Sequence, residues 1–260
     1  MKTKLKIIKI GGNIIDDPDQ LNQFLIRFST LKGQKILVHG GGKTASDFSK
    51  KLGIKPHLIN GRRITHKEDL EIVTMVYAGL INKKITAILQ REGCNAIGLS
   101  GVDANCIQSV KRPVESIDYG CVGNVKSVES LTIDLLLTQN IVPVFSAITH
   151  DGAGNLLNTN ADTIASEIAI AMNNIYDTEL IYCFEKSGVL QPHENEEVVI
   201  ERMDQRLFHQ MKSENTIYGG MIPKIENCFH ALKNNVQKVS IGNAYHLTEP
   251  GQVATTIHLS

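Results

Sequence analysis

Two glycine-rich turns, each closing a short apolar strand, restrict this chain to folds in which strands hand over to helices along one edge of a sheet. The first is Lys9-Ile10-Gly11-Gly12, after Leu5-Lys6-Ile7-Ile8; the second is His39-Gly40-Gly41-Gly42, after Lys35-Ile36-Leu37-Val38. A helix-like segment follows each. Glycines at such junctions let backbone N–H groups approach an anion closely, and the helix N-terminus beyond adds a favourable dipole. Two such turns, about thirty residues apart, suggest a site for more than one phosphate or carboxylate.

The rest of the chain alternates in the same way. Apolar patterning predicts strands at 5–10, 35–39, 95–99, 141–147, 180–184 and 237–241, and helices at 18–31, 43–52, 66–91, 131–140, 161–173, 203–211 and 222–234. Such alternation favours an α/β protein with a mainly parallel sheet and helices on both faces. Thr65 and Glu68 give the long helix a capping-box pattern, with apolar residues at Leu70, Val73, Val76, Tyr77 and Leu80. Residues 105–128 read as short β pieces, a hairpin lid beside the main sheet, and residues 191–197 as an exposed loop or flap. At 260 residues, 42% of them apolar, the chain suffices for one large domain or two lobes around one cleft. No repeat or interdomain linker is evident, and a lobe boundary falls near 173–178.

Lys+Arg and Asp+Glu balance at 27 each, which argues against a general nucleic-acid binder. An anionic ligand must then be held by a local cluster of charge. The five cysteines show no CxxC or zinc spacing and read as reduced thiols of a cytosolic protein. The N-terminus enters a strand without a signal-like stretch, and no apolar run of membrane-spanning length is apparent. The expectation is a cytoplasmic protein with neither nucleic-acid nor membrane partner and no dedicated metal site.

Several residues could carry chemistry. Lys9 ends a strand at the sheet edge where α/β proteins gather ligands, although a surface lysine snorkelling from a strand end would read the same way. The His-Gly-Gly-Gly turn fails as a P-loop, because Leu37 occupies the leading glycine position. It matches a dinucleotide fingerprint only loosely, with no acid about twenty residues on, and no G-x-S-x-G elbow accompanies it as in a hydrolase. A tight connection without a ligand remains open. Asn160 is a candidate N-cap and Asp162 the second helical residue after it, where an acid complements the dipole anyway. Gly219-Gly220-Met221-Ile222-Pro223-Lys224 reads as a turn into a helix with proline at its first position. Lys224 then opposes the dipole, at a cost of about 0.3–1 kcal/mol, unless an anion binds there. Arg63, in Asn60-Gly61-Arg62-Arg63-Ile64-Thr65, could grip a carboxylate with two parallel hydrogen bonds or simply be solvated. No histidine pair has convincing metal spacing, and His39 could serve to orient its own loop.

Taken together, Lys9-Ile-Gly-Gly, His39-Gly-Gly-Gly, Asn60-Gly-Arg-Arg-Ile-Thr, Asn158-Thr-Asn-Ala-Asp162 and Gly219-Gly-Met-Ile-Pro-Lys224 resemble the amino-acid kinase family, and within it the acylglutamate kinases. The segments occur in the family's order over nearly the whole chain. The first two are shared among related kinases; the Asn-Gly-x-Arg-x-Thr segment and the last two are the more specific.

The resemblance implies a three-layer αβα sandwich. Its N-terminal lobe, about 1–173, would hold the acylated amino acid and its C-terminal lobe, about 174–260, ATP. The γ-phosphoryl group would pass to the side-chain carboxylate of an N-acylated glutamate, with N-acetyl-L-glutamate the leading acceptor, giving an acyl phosphate in arginine biosynthesis. A carboxylate is ionised near neutral pH, so catalysis would rest on positioning and charge. By similarity Lys9 and Lys224 stabilise the transferring and leaving phosphates, and Asp162 orients both lysines. Backbone N–H groups of Gly11, Gly12 and Gly42 hold the γ-phosphate and its acceptor, and Gly41 and Gly42 line the acceptor pocket. Arg63 and Asn158 bind the acylated α-amino acid end, Glu185 and Gly188 belong to the nucleotide site, and Mg²⁺ arrives with ATP. Phe184-Glu185-Lys186 stands where many relatives carry Thr/Ser-Asp-Val, which alters the wall of the nucleotide site. The chain starts at its first strand, resembling the arginine-insensitive homodimers that lack an N-terminal helix. Alternatives are an N-succinylglutamate acceptor, a carbamate or uridylate kinase, a catalytically dead ligand sensor and, more remotely, a dinucleotide-dependent oxidoreductase.

Overall fold

The computed structural model describes residues 2–59, 62–193, 196–217, 219–247 and 251–260. In chain order, β1 (Lys4–Ile10) leads through α1 (Gly12–Asp16) and α2 (Pro18–Thr30) to β2 (Gln34–His39) and α3 (Gly42–Lys51). A hairpin of β3 (His57–Ile59) and β4 (Arg62–Ile64) precedes a long helical run: α4 (Lys67–Thr74), a π-helical stretch at Met75–Ile81, and α5 (Asn82–Arg91). Next come β5 (Ala96–Leu99), β6 (Ile107–Lys111), β7 (Val122–Val128), α6 (Ser130–Thr138), β8 (Val142–Ser146), β9 (Ile148–His150), β10 (Leu156–Thr159), α7 (Ala161–Met172) and β11 (Asp177–Cys183). The closing part is β12 (Leu190–His193), β13 (Glu196–Val199), β14 (Arg202–Met203), α8 (Gln205–Ser213), α9 (Met221–Lys233), β15 (Lys238–Gly242) and β16 (Thr255–Ile257).

Eight strands form one sheet in the order β14-β16-β15-β11-β1-β2-β8-β5. Every neighbouring pair is parallel except β15 with β16. Leu5, Ile7, Ile8 and Ile10 of β1 are all fully buried. Side chains of a strand alternate between faces, so this burial requires a helical layer on each side, as in parallel α/β sheets. The expected three-layer α/β architecture is what the chain adopts. β1 sits between β2 and β11, so the chain leaves it in opposite directions, and the C-terminal ends of all three open at one edge. Lys9 is level with Val38 and Tyr182, and Ile10 with His39 and Cys183, which brings both glycine turns to the same height.

The remaining β structure differs from the sequence reading in instructive ways. The 105–128 region does contain an antiparallel pair, β6 and β7, but β9 and β10 close it into a four-stranded barrel rather than leaving a lid. Residues 191–197 fall largely in the β12–β13 hairpin, with 194 and 195 outside the described residues. The long helix is capped one residue later than expected: the N–H of His66 donates to Asp69 Oδ2 at 3.1 Å. Thr65 is instead held in an isolated bridge to the barrel, its N–H donating to Tyr119 O and its carbonyl accepting from Cys121 N–H. By length and composition alone the 25-residue run Lys67–Arg91 could cross a membrane, which the sequence reading did not register. Its Ile72, Val73, Val76, Ile81, Ile85 and Leu89 are buried in the core.

Lys35 is buried at the start of β2, and its Nζ donates to the carbonyls of Phe28, Ser29 and Leu31, each at 2.8 Å. It satisfies the orphan carbonyls at the C-terminus of α2. Lys35→Met is expected to lower stability by about 2 kcal/mol, seen as a reduced urea midpoint. An unchanged midpoint would contradict this capping role.

Candidate active site

A cleft of about 270 Å³ lies at the edge where β1 and β2 end. Lys9, Gly12, Gly41, Gly42, Arg63 and Asn158 all line it, together with the Asn160-Ala161 start of α7. Residues from four separate stretches of sequence thus converge on one concavity.

Through Lys9 the cleft adjoins a buried ion triad. Lys9 Nζ lies 2.8 Å from Asp162 Oδ1, and Lys224 Nζ lies 3.4 Å from Asp162 Oδ2. The three side chains are only 11%, 14% and 12% exposed, in the order Lys9, Asp162, Lys224, so the charges interact with little screening. Burial by itself would raise the Asp162 pKa; the charges of Lys224 and Lys9 and their hydrogen bonds outweigh it and hold the carboxyl at about 2. Burial lowers the Lys9 pKa, against the pull of Asp162 and with the push of Lys224.

Local structure explains how each member is placed. Lys9 is the penultimate residue of β1. Asp162 is the second residue of α7, whose N-cap Asn160 accepts from the N–H groups of Asp162 and Thr163 through Oδ1, at 2.7 and 3.2 Å. Lys224 is the fourth residue of α9, and Pro223 is the third rather than the first as the sequence suggested. Proline is tolerated there because N–H groups of a first turn have no intrahelical acceptor. The Lys224 ammonium lies 5.3 Å from the Tyr182 ring centre and 5.9 Å from that of Phe184. Tyr182 also donates its hydroxyl to the Asp162 carbonyl at 2.9 Å.

The two glycine turns have different jobs. The N–H of Gly11 donates to the Cys183 carbonyl at 2.9 Å. It is therefore used in joining β1 to β11, while Gly12 lines the cleft. Gly41 has φ of 151°, and a Cβ there would collide with Ile81 and approach Tyr77 to 3.1 Å. Only glycine fits beneath the π-helical stretch. His39 is fully buried and its pKa is pushed down to about 4 by burial, so it is neutral. Its Nδ1–H donates to the Gly40 carbonyl at 2.8 Å, and Nε2 accepts from Asn82 Nδ2 at 3.0 Å. His39 thus orients the turn, and Asn82 fixes its tautomer.

The opposite wall is built by β4 and β10. Arg63 Nη2 donates to the Gly42 carbonyl at 2.9 Å and to Ser46 Oγ at 2.6 Å, while its buried Nη1 has no partner among the described residues. Asn158 Nδ2 donates to Thr65 Oγ1 at 2.9 Å. Thr44 Oγ1 donates to Asp16 Oδ1 at 2.6 Å, tying α1 to α3 behind both turns. Asn60 and Gly61, the start of the arginine-bearing motif, lie outside the described residues.

Glu185 and Gly188 lie elsewhere. Glu185 opens onto a hollow of about 250 Å³ with Ile14, Phe184, Asn243 and Tyr245. Gly188 is packed against Val199 and Thr255, whose Oγ1 accepts from the N–H of Val189 at 2.7 Å. The sequence reading missed Tyr182, Asn82, Arg62 and Arg112 around the cleft. Asn82 left a signal, being a polar residue on the buried face that carries Ile81 and Ile85.

Residues 4–243 match the model of the amino acid kinase family. The chain is 52% identical over 247 residues to the acetylglutamate kinase of Cytophaga hutchinsonii, covering 95% of this chain and 94% of that one. It is 50% identical over 241 residues to the acetylglutamate kinase of Bacteroides fragilis, covering 93% and 92%. Among solved structures, a Streptococcus mutans protein has the same fold, with a TM-score of 0.80 at 24% identity over 98% of this chain and 99% of the other.

The triad makes stability pH-dependent. Because the folded-state pKa of Asp162 lies below the usual 3.8, its contribution is complete above about pH 4 and is lost as the pH falls toward 2. Wild type should exceed Asp162→Asn in urea-derived stability above pH 4. That margin should shrink by roughly 2 kcal/mol on acidification through this window. A margin that stayed constant down to pH 2.5 would count against the ion triad.

Proposed function

The chain belongs to the amino acid kinase family, and from that premise we propose that it transfers the γ-phosphoryl group of ATP to the side-chain carboxylate of N-acetyl-L-glutamate. The products are an acyl phosphate and ADP, a step of arginine biosynthesis. The observation that carries this reading is one cleft that brings Lys9, held in an ion triad with Asp162 and Lys224, together with an arginine whose buried Nη1 has no partner among the described residues.

The geometry suits the reaction. The acceptor carboxylate is already a nucleophile at neutral pH, so the protein supplies position and charge. Lys9 and Lys224, oriented by Asp162, face the phosphoryl group in flight and the leaving phosphates. Asp162 stays ionised and attached to both lysines, so it takes no proton in the step. The N–H groups of Gly12 and Gly42 hold the reacting phosphate and acceptor. Arg63 takes the α-carboxylate with Nη1, which has no hydrogen-bond partner among the described residues, and the amide of Asn158 takes the acylated nitrogen end. Gly41 lets the turn close against Tyr77 and so shapes the acceptor pocket.

ATP enters as the magnesium complex, with Mg²⁺ belonging to the substrate. Its phosphates point toward Gly12 and Lys224, and its base end lies toward the segment carrying Glu185 and Gly188. On this reading residues 1–173 are the acceptor lobe and 174–260 the nucleotide lobe, sharing the sheet through the β1–β11 pair. The protein works as a cytoplasmic homodimer, a pairing for which the exposed apolar side chains of Met75 and Leu80 on the long helix offer a surface.

ATP-dependent hydroxamate formation from N-acetyl-L-glutamate tests the activity, and absence of product would overturn it. Lys9→Ala and Lys224→Ala should each lower kcat roughly a hundredfold or more. Arg63→Ala should act chiefly on the KM for the amino acid, raising it about thirtyfold. An unchanged KM would remove Arg63 from the acceptor site.

A further inference from the structure

Asp162 does not hold its two lysines equally. Lys9 Nζ sits at 2.8 Å, the length of a charge-assisted hydrogen bond, whereas Lys224 Nζ stands off at 3.4 Å. Lys9 is also fixed through its strand, which is paired with β2 on one side and β11 on the other. Lys224 stands in the first turn of a helix, with its charge at the end of a flexible four-carbon stem. Among the described residues Asp162 is its one hydrogen-bond acceptor. Yet the side chain is only 12% exposed, so something other than water surrounds the ammonium.

What surrounds it is aromatic. The Tyr182 and Phe184 ring centres lie 5.3 and 5.9 Å from Nζ, within the range over which a ring attracts a cation. Both rings come from one stretch of chain. Phe184 follows the last residue of β11, and its N–H donates to the Gly242 carbonyl at 3.0 Å, which carries the pairing with β15 onward. Residues two apart in an extended chain face the same way, so both rings reach the side from which Lys224 approaches. Tyr182 is fully buried and anchored through its hydroxyl to the Asp162 carbonyl. Phe184 is half-buried beside the first glycine turn, where a Cβ on Gly11 would lie 3.5 Å from its own.

Rings hold a lysine differently from a second carboxylate or carbonyl. An ammonium has three N–H donors, and Asp162 takes one. A ring face attracts the charge without neutralising it, so Lys224 is aimed while two donors stay available for phosphate oxygens.

We propose that Tyr182 and Phe184 are positioning residues for phosphoryl transfer: their ring faces hold the Lys224 ammonium where the leaving phosphates arrive. This rests on the phosphotransfer reading above and adds the residues that aim its second lysine.

The test places mono-, di- and trifluorophenylalanine at position 184 of the full chain. Fluorine drains the ring face of electrons with little change of shape. The kcat for acyl phosphate formation from N-acetyl- and N-succinyl-L-glutamate should fall stepwise, to about a tenth with three fluorines, at an unchanged KM for the amino acid. Phe184→Leu should fall about as far, and Phe184→Tyr should restore most of the rate. The urea midpoint gives a readout that needs no activity: fluorination should lower it more in the wild-type background than in Lys224→Met. A kcat level across the fluorinated series, a Phe184→Leu enzyme as fast as wild type, or midpoint shifts equal in both backgrounds would each overturn the proposal and leave the kinase reading standing. Product from neither acylated glutamate with the unsubstituted chain would instead sink the kinase reading and the positioning role with it, and the midpoints would still tell a ring-held lysine from a ring that only fills space.

Discussion

One carboxylate holding two ammonium groups is the interaction on which the rest of this molecule depends. Asp162 draws Lys9 from a central strand and Lys224 from a helix some sixty residues later onto the same few ångströms. Burying three charges is costly, and losing the middle one would strand two cations in a poorly hydrated place. The arrangement leaves one net positive charge beside the cleft, which under the proposed function is oriented before an incoming phosphate arrives. The topology provides the meeting point. β1 lies where the strand order reverses, α7 begins against its C-terminal end, and α9 packs on α7.

The glycine turns show how one sequence feature can serve two physical ends. Gly12 lines the cleft, whereas Gly11 gives its N–H to Cys183 and stitches the sheet edge together. Gly41 is required by a collision with Ile81 and by its positive φ, so the demand for glycine comes from the long helix above it. The π-helical stretch that carries Tyr77 and Ile81 presses on that turn, and Asn82 at its end reaches His39 below. Helix and turn are thus fitted to each other as one support for the wall of the cleft.

Much of this was legible in the sequence. Strands β1, β2, β8 and β11 announce themselves as short, largely apolar stretches, because a parallel sheet is covered on both faces. Lys9, Asp162 and Lys224 stood out because each is a charge at a strand end or helix start, where local physics gives it a reason or a cost. The errors have equally local causes. The capping box slid by one residue because Thr65-Glu68 and His66-Asp69 are competing patterns, and Thr65 was claimed by the bridge to the barrel. Pro223 moved from first to third position because both are free of hydrogen-bond demand. Residues 105–128 could not reveal their barrel, since β9 and β10 come from later in the chain. Arg62 and Arg112 were invisible as a pair for the same reason: nothing in either segment says that fifty residues of chain return to put them side by side.

The central claim is that the triad and Arg63 belong to one phosphoryl-transfer site. The most direct measurement is a crystal structure of the chain with a nonhydrolysable ATP analogue and an N-acylated glutamate. The account predicts phosphate oxygens within about 3 Å of both lysine Nζ atoms and the α-carboxylate on Arg63 Nη1. A nucleotide bound away from Lys224, or an α-carboxylate that left Arg63 Nη1 unpaired, would contradict it.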